Sequence, residues 1–188
     1  MKIKTLILSA VFAGSFALAN AQQFENGDMA ANLGVSFGWY SYGYGVSSFP
    51  AISLSLEKGI KEFDFGNLGI GGIVGYKHAK YDFYYGDNWS WTDFIIAARG
   101  AIHADVLHVD KLDTYGGLAV GVRIESEKYY VPVYPYGLND YEKANANFTH
   151  GLFAFFVGGR YFFSDNFAAF GELGYGIGYA TLGVSYKF

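Results

Sequence analysis

The sequence predicts an all-β chain, an eight-stranded antiparallel up-and-down transmembrane β-barrel, and three observations lead there. Apolar residues alternate with small or polar ones in eight successive segments, the period of strands with two unlike faces. The second face is mostly Gly, Ala and Ser with isolated charges, a composition that hydrates badly but fits a narrow interior. The first 21 residues have the form of an export leader, so the mature chain starts in a compartment next to a membrane.

The leader comes first. Lys2 and Lys4 precede an apolar run from Leu6 to Ala19, followed by Ala19-Asn20-Ala21, the small-x-small pattern cut by signal peptidase. Residues 1–21 are therefore expected to be cleaved, leaving 22–188 as one domain. The apolar run is shorter than the ~20 residues of a spanning helix, and no later stretch is long and charge-free enough to be one. If the mature chain enters a membrane, it does so as strands.

The eight segments follow in order. Ala31, Leu33, Val35, Phe37 and Trp39 oppose Asn32, Gly34, Ser36 and Gly38; Ile52, Leu54 and Leu56 oppose Ser53, Ser55 and Glu57. Leu68, Ile70, Gly72, Val74 and Tyr76 oppose Gly69, Gly71, Ile73, Gly75 and Lys77; Phe94, Ile96, Ala98 and Ile102 oppose Asp93, Arg99 and His103. Leu118, Val120, Val122 and Ile124 oppose Ala119, Gly121, Arg123 and Glu125; Phe153, Phe155, Val157, Tyr161 and Phe163 oppose Ala154, Gly158 and Arg160. Last, Ala169, Leu173 and Tyr175 oppose Glu172, and Leu182, Val184, Tyr186 and Phe188 oppose Gly183, Ser185 and Lys187. Trp39, Tyr40, Trp91, Tyr115, Tyr161 and Tyr186 lie near segment ends and suit interfacial girdles.

Long aromatic, glycine-rich connections at about 40–48, 82–91 and 128–145 alternate with shorter ones near 59–66, 107–112 and 164–166. Membrane barrels alternate long external loops with short turns in this way, although the last outer connection, around 176–178, is short. A soluble sandwich or lipocalin-like barrel would share the alternation. Its wet face would need Lys, Glu, Thr and Asn, whereas only 16% of this chain is charged, against about 25% in a soluble domain.

Composition excludes several functions. Loss of the leader removes two of the 13 Lys+Arg and none of the 17 Asp+Glu, taking the net charge from −4 to −6, so no nucleic-acid partner is expected. With no cysteine there is no disulfide, no thiol nucleophile and no lipid-bearing cysteine after the leader. His103 and His108 are five positions apart and cannot share a strand face, so no metal site is expected. The glycine-rich stretches lack the strand-to-helix context of a phosphate cradle. No cofactor is expected.

Leu182-Gly183-Val184-Ser185-Tyr186-Lys187-Phe188 ends the chain on an alternating strand with a terminal Phe. This resembles the last strand of porin-like outer-membrane proteins, and with the leader and repeated strands the chain is similar throughout to small barrels of the OmpA/OmpX type. The resemblance implies residence in the cell outer membrane among lipid and lipopolysaccharide. It also implies recognition of the Tyr186 and Phe188 end by the barrel-assembly machinery. The chain stops at the barrel, unlike members that append a peptidoglycan-binding domain, so cell-wall anchoring is not expected. A monomer is the default.

The lumen-facing charges are the first candidate site. In a narrow barrel an unpaired charge is costly, so Glu57, Arg99, Arg123, Arg160 and Glu172 are expected to form one network, with Arg160 and Glu172 as a pair across the 164–166 turn. The network reads as a plug that gives the barrel a structural or surface-interaction role; the alternative is a narrow channel for small solutes or ions. A lipid-modifying enzyme is the third reading, resting on His78, Ser90, Asp93, Glu125 and His150 near the outer rim, whose spacing matches no hydrolase signature. Outer-loop aromatics Tyr42, Tyr44, Trp89, Trp91, Tyr134 and Tyr136 suit an extracellular ligand, because such rings bury area at low entropic cost.

Overall fold

The computed structural model describes residues 24–38, 47–82, 88–132 and 141–188. The leader and Trp39, Tyr40, Tyr42, Tyr44, Tyr134 and Tyr136 lie outside the described residues. The strands are β1 (Met29–Phe37), β2 (Ser47–Ser48), β3 (Ala51–Phe63), β4 (Gly66–Asp82), β5 (Asn88–Ala104), β6 (Leu112–Pro132), β7 (Tyr141–Phe162), β8 (Phe167–Tyr175) and β9 (Ala180–Lys187).

Eight of them form a ring in which every pairing is antiparallel, and the β1–β9 ladder from Ala30↔Lys187 to Phe37↔Ala180 closes it. Closure leaves no sheet edge along the ring, which is what hydrocarbon demands of a strand protein. The two-residue β2 pairs with Lys80 and Ala79 of β4, just before Pro50, which has no N–H to give to a ladder.

The faces fall as the alternation requires. Ile52, Val74, Ile96, Val120, Val157 and Leu182 are exposed, whereas Glu57, Arg99, His103 and Arg160 are buried. This inverts a water-soluble domain, in which Glu and Arg are almost never fully buried. The outside is a hydrocarbon-facing surface and the inside a polar core. Tyr161 and Tyr186 stand on that outside, but Tyr115 is buried in the lumen and Trp91 takes the inward phase opposite Glu127, so neither belongs to a girdle.

Strand lengths differ from the expected segments at one end. Two connections expected to be loops are largely ladder: β4 and β5 pair as far as Asp82↔Asn88, and β6 and β7 as far as Pro132↔Tyr141. Trp89 pairs with Tyr81, and Trp91 with Ala79 and Glu127, across these ladders, and aromatic residues suit a pleated, half-buried surface. Since β7 pairs with β8 only from Phe155 to Phe162, strands β4 to β7 rise well beyond β1, β8 and β9. A sheet of these four strands, with the two-residue β2 along the β4 edge, therefore projects from the long-hairpin end.

At the opposite end the first turn is only Asp64-Phe65, and β3 runs to Phe63. Gly59 sits here under the chain entering β1: its N–H donates to the Asp28 carbonyl and its carbonyl accepts from Gly27. A Cβ at Gly59 would lie 2.1 Å from the Glu25 carbonyl oxygen, so the crossing requires glycine.

Candidate functional site in the barrel lumen

Inward positions of a small barrel are few, and each must be filled or paired. From the short-turn end upward, the first layer is a box of four charges. His103 of β5 has Nδ1 2.8 Å from Asp113 Oδ1 and Nε2 2.7 Å from Glu57 Oε1. Arg160 of β7 completes it, 3.4 Å from both Glu57 Oε2 and Asp113 Oδ2. With both carboxyls ionised their oxygens only accept, so both imidazole nitrogens donate and the ring carries the proton that makes it a cation. Two anions and two cations leave the box neutral, as a buried cluster needs.

Phe24 covers the box from below. It is fully buried, its ring 4.4 Å from that of His103 and 5.4 Å from the Arg160 guanidinium. Asn67 Nδ2 donates to the Phe24 carbonyl at 3.1 Å, and Lys187 pairs with Asp28 at 3.3 Å, tying the entering chain to the barrel floor.

The next layer is a strut across the lumen. Arg99 Nη2 lies 2.8 Å from Glu172 Oε1, to which the Tyr115 hydroxyl also donates at 2.9 Å. The Arg99 guanidinium rests 4.1 Å over the Phe156 ring. Above it Ile73, Ile95, Ala97, Ala119, Leu152 and Ala154 pack into an apolar layer. The wall made by β1, β3 and β9 is polar instead, with Asn32 donating to Ser55 at 3.0 Å and Ser36 bonded to Thr181 at 2.7 Å. A cavity of about 30 Å³ lies against that wall, bordered by Asn32, Ser53, Arg99 and Thr181, room for only a few waters.

A second charged cluster occupies the outer mouth. Arg123 pairs with Glu125 at 2.8 Å and with Asp93 at 3.4 Å, and His150 is 3.7 Å from Glu125.

The five expected network residues therefore divide. Glu57 and Arg160 belong to the box, Arg99 and Glu172 to the strut, and Arg123 to the mouth, beyond the apolar layer. The expected Arg160–Glu172 pair does not form. Glu172 stands opposite Gly158, and Arg160 opposite Phe170, so Glu172 crosses to Arg99 while Arg160 turns to Glu57 and Asp113. Asp113 and Phe24 were not singled out from sequence. Asp113 lies beside an expected turn, yet the phase Ala119, Gly117, Tyr115, Asp113 points it inward; Phe24 precedes the first strand and carries no periodic signal.

The rim residues considered for catalysis divide between faces. His78, bonded to Thr92 at 3.0 Å, and Ser90 share the outward phase of Phe94, while Asp93, Glu125 and His150 point into the mouth. A serine is thus not delivered to the His150–Glu125 pair. Of the outer aromatics within the described residues, Trp89 and Trp91 lie on the projecting sheet, their rings 5.7 Å apart.

A closed eight-stranded antiparallel ring with an apolar exterior and a charge-bearing lumen defines a transmembrane β-barrel of the up-and-down type. No protein-family model and no curated protein matches the sequence. Among solved structures, Ail, the attachment invasion locus protein of Yersinia pestis, crystallised with the heparin analogue sucrose octasulfate, is similar at 14% identity and TM-score 0.47, over 87% of this chain and 99% of that one. The N-terminal β-barrel domain of Pseudomonas aeruginosa OprF is similar at 15% identity and TM-score 0.40, over 88% of this chain and all of that one (100%). The fold assignment stands on the ring and its inverted faces rather than on these likenesses.

Proposed function

We propose that this chain is exported, loses residues 1–21, and resides in the outer membrane as a closed barrel with a structural or surface-interaction role. Closed strand barrels with an apolar band are the strand solution for that membrane, and Lys2 to Ala21 reads as the leader that would deliver the chain there. Lipid and lipopolysaccharide are its surroundings, the assembly machinery its transient partner, and the projecting sheet of β4 to β7 its contact surface.

The observation that carries the closed-lumen reading is the sequence of layers: Phe24, the charge box, the Arg99–Glu172 strut and the apolar layer. An ion crossing the lumen would have to displace each. The narrow-channel alternative draws on the polar wall of Asn32, Ser53, Ser55 and Thr181 and its cavity.

Planar-bilayer recording of the refolded protein tests this. A closed barrel gives no stable single-channel steps, and stable currents that change on replacing Arg160 or Glu172 would overturn it.

A further inference from the structure

The projecting sheet has two side edges, and they differ. On the β4 side, Ser47 and Ser48 of β2 pair with Lys80 and Ala79, and Ala79 is 1% exposed. On the β7 side, β8 pairs no higher than Phe155↔Tyr175, although β7 continues along β6 to Tyr141. Among the described residues, no backbone group bonds to β7 on that side between Ala144 and Leu152. Phe148 and His150 take the inward phase, yet Phe148 is 47% exposed and the His150 side chain 46%. A Cβ added at Gly151 would touch nothing within 4 Å. This edge is open.

The turn below shows which backbone groups face it. Phe163 N–H donates to Phe167, on the β8 side, and Phe162 N–H donates to Lys111, on the β6 side. Both β7 ladders run without a register shift, and successive residues of a strand bond to opposite neighbours. Asn145, Asn147, Thr149 and Gly151 therefore turn their N–H and C=O to the open side. These donors and acceptors recur about every 7 Å, two residues of strand. Between Ala144 and Leu152 there is no Lys, Arg, Asp, Glu or Pro, the residues that blunt exposed edges elsewhere.

We propose that this edge captures an extended segment of another polypeptide, added antiparallel in line with β8. Only a polypeptide backbone repeats a donor and an acceptor at that spacing; a glycan or a lipid headgroup does not. Side chains alternate along the segment and set its sequence. The inward ones lie beside Phe148 and His150, whose rings are 6.4 Å apart, and call for apolar or aromatic residues. The outward ones lie beside Asn145, Asn147 and Thr149 and call for hydrogen-bonding residues. A second copy in the same membrane fits worse, because its β7 would run in the same sense and could not pair antiparallel. The edge also stands clear of hydrocarbon, where open backbone groups would lack water. Outward Phe155 and Tyr175 stack at 6.0 Å below it, as in an interfacial girdle, and from Gly151 upward the outward residues of β7 are Thr149, Asn147 and Asn145. The inference rests on the outer-surface placement proposed above.

The test uses the mature protein refolded in nanodiscs and seven-residue synthetic peptides alternating Thr and Val, the central Val kept or replaced by Phe, Lys or Glu. Amide hydrogen exchange by NMR reports pairing residue by residue. In the free protein at high dilution, the N–H groups of Ala146 and Phe148, turned to β6, should exchange slowly, and those of Asn145, Asn147 and Thr149 fast. The Val or Phe peptide should bind saturably and slow the latter amides about tenfold or more. It should bind about tenfold more tightly than the same peptide N-methylated at every residue. Asn147→Pro removes an edge N–H where an edge strand tolerates proline. It should keep the barrel, shown by circular dichroism and heat-dependent gel mobility, and abolish binding, whereas Phe148→Ala keeps the edge and should weaken binding several-fold. Slow exchange of Asn145, Asn147 and Thr149 in the free protein overturns the proposal: it means that the chain covers its own edge or, where the protection grows with protein concentration, that a second copy does. Absence of protection by all four peptides, or equal binding of the N-methylated one, also overturns it. None of these failures touches the closed-barrel reading, which falls only on conductance.

Discussion

Arg99 Nη2 and Glu172 Oε1 meet at 2.8 Å although they come from β5 and β8, with β6 and β7 between them in the ring. This contact spans the lumen and braces opposite walls, and both side chains are largely shielded from water. Breaking one half leaves an uncompensated buried charge. Glu172→Leu is expected to cost about 3 to 5 kcal/mol, whereas Arg99→Met with Glu172→Leu recovers most of the loss. Reversible urea unfolding in lipid vesicles reads both. If the double variant is no more stable than the single one, Arg99 does not depend on Glu172.

The strand faces were legible because alternation is a property of neighbours along the chain: Ser53, Ser55 and Glu57 share a face whatever surrounds them. The charge partners were not legible, because they depend on strand stagger, which local sequence does not encode. Arg160 and Glu172 flank one short turn, but an offset of two positions in the ladder puts Phe170 opposite Arg160. Strand ends were misplaced for another reason. Trp89, Trp91 and Tyr129 suit a binding loop as well as a ladder, and only the partner strand decides between them.

Phe24 is expected to act as the floor of the lumen. Truncating a buried aromatic costs about 3 to 5 kcal/mol, and Phe24→Ala should fall in that range by vesicle unfolding. It should also admit water to the charge box, so the ring N–H protons of His103 exchange faster with solvent by nitrogen-resolved NMR. Unchanged exchange in the variant would mean that another group seals this end.

The inverted faces predict opposite responses on the two sides of the wall. Val120 points outward and is 61% exposed. Val120→Arg should cost about 2 to 4 kcal/mol in vesicles, as an arginine facing mid-bilayer lipid does, while Val120→Leu is neutral. On the inward face Ala97 is 5% exposed and packs within the apolar layer, and Ala97→Leu should cost about 1 to 3 kcal/mol by overpacking it. A tolerated arginine at Val120, together with a mature chain that dissolves without detergent, would mean that the aliphatic face is not in lipid.

The terminal strand separates folding from assembly. Phe188 and Met29 exchange both backbone hydrogen bonds, at 2.9 and 3.0 Å, completing the β1–β9 closure. The Phe188 side chain is 56% exposed and stacks 5.9 Å from Tyr186 on the outer face. Phe188→Ala therefore spares the backbone closure and removes only an outward ring that packs little within the barrel. If that ring is the feature the assembly machinery reads, refolding of the purified variant into vesicles should match wild type, while the amount of heat-modifiable barrel recovered from cell envelopes falls several-fold. Deleting Phe188 removes the backbone pair as well and should impair both measurements. Wild-type recovery of Phe188→Ala from envelopes would show that the recognition lies elsewhere in the strand, with Tyr186 the next residue to replace.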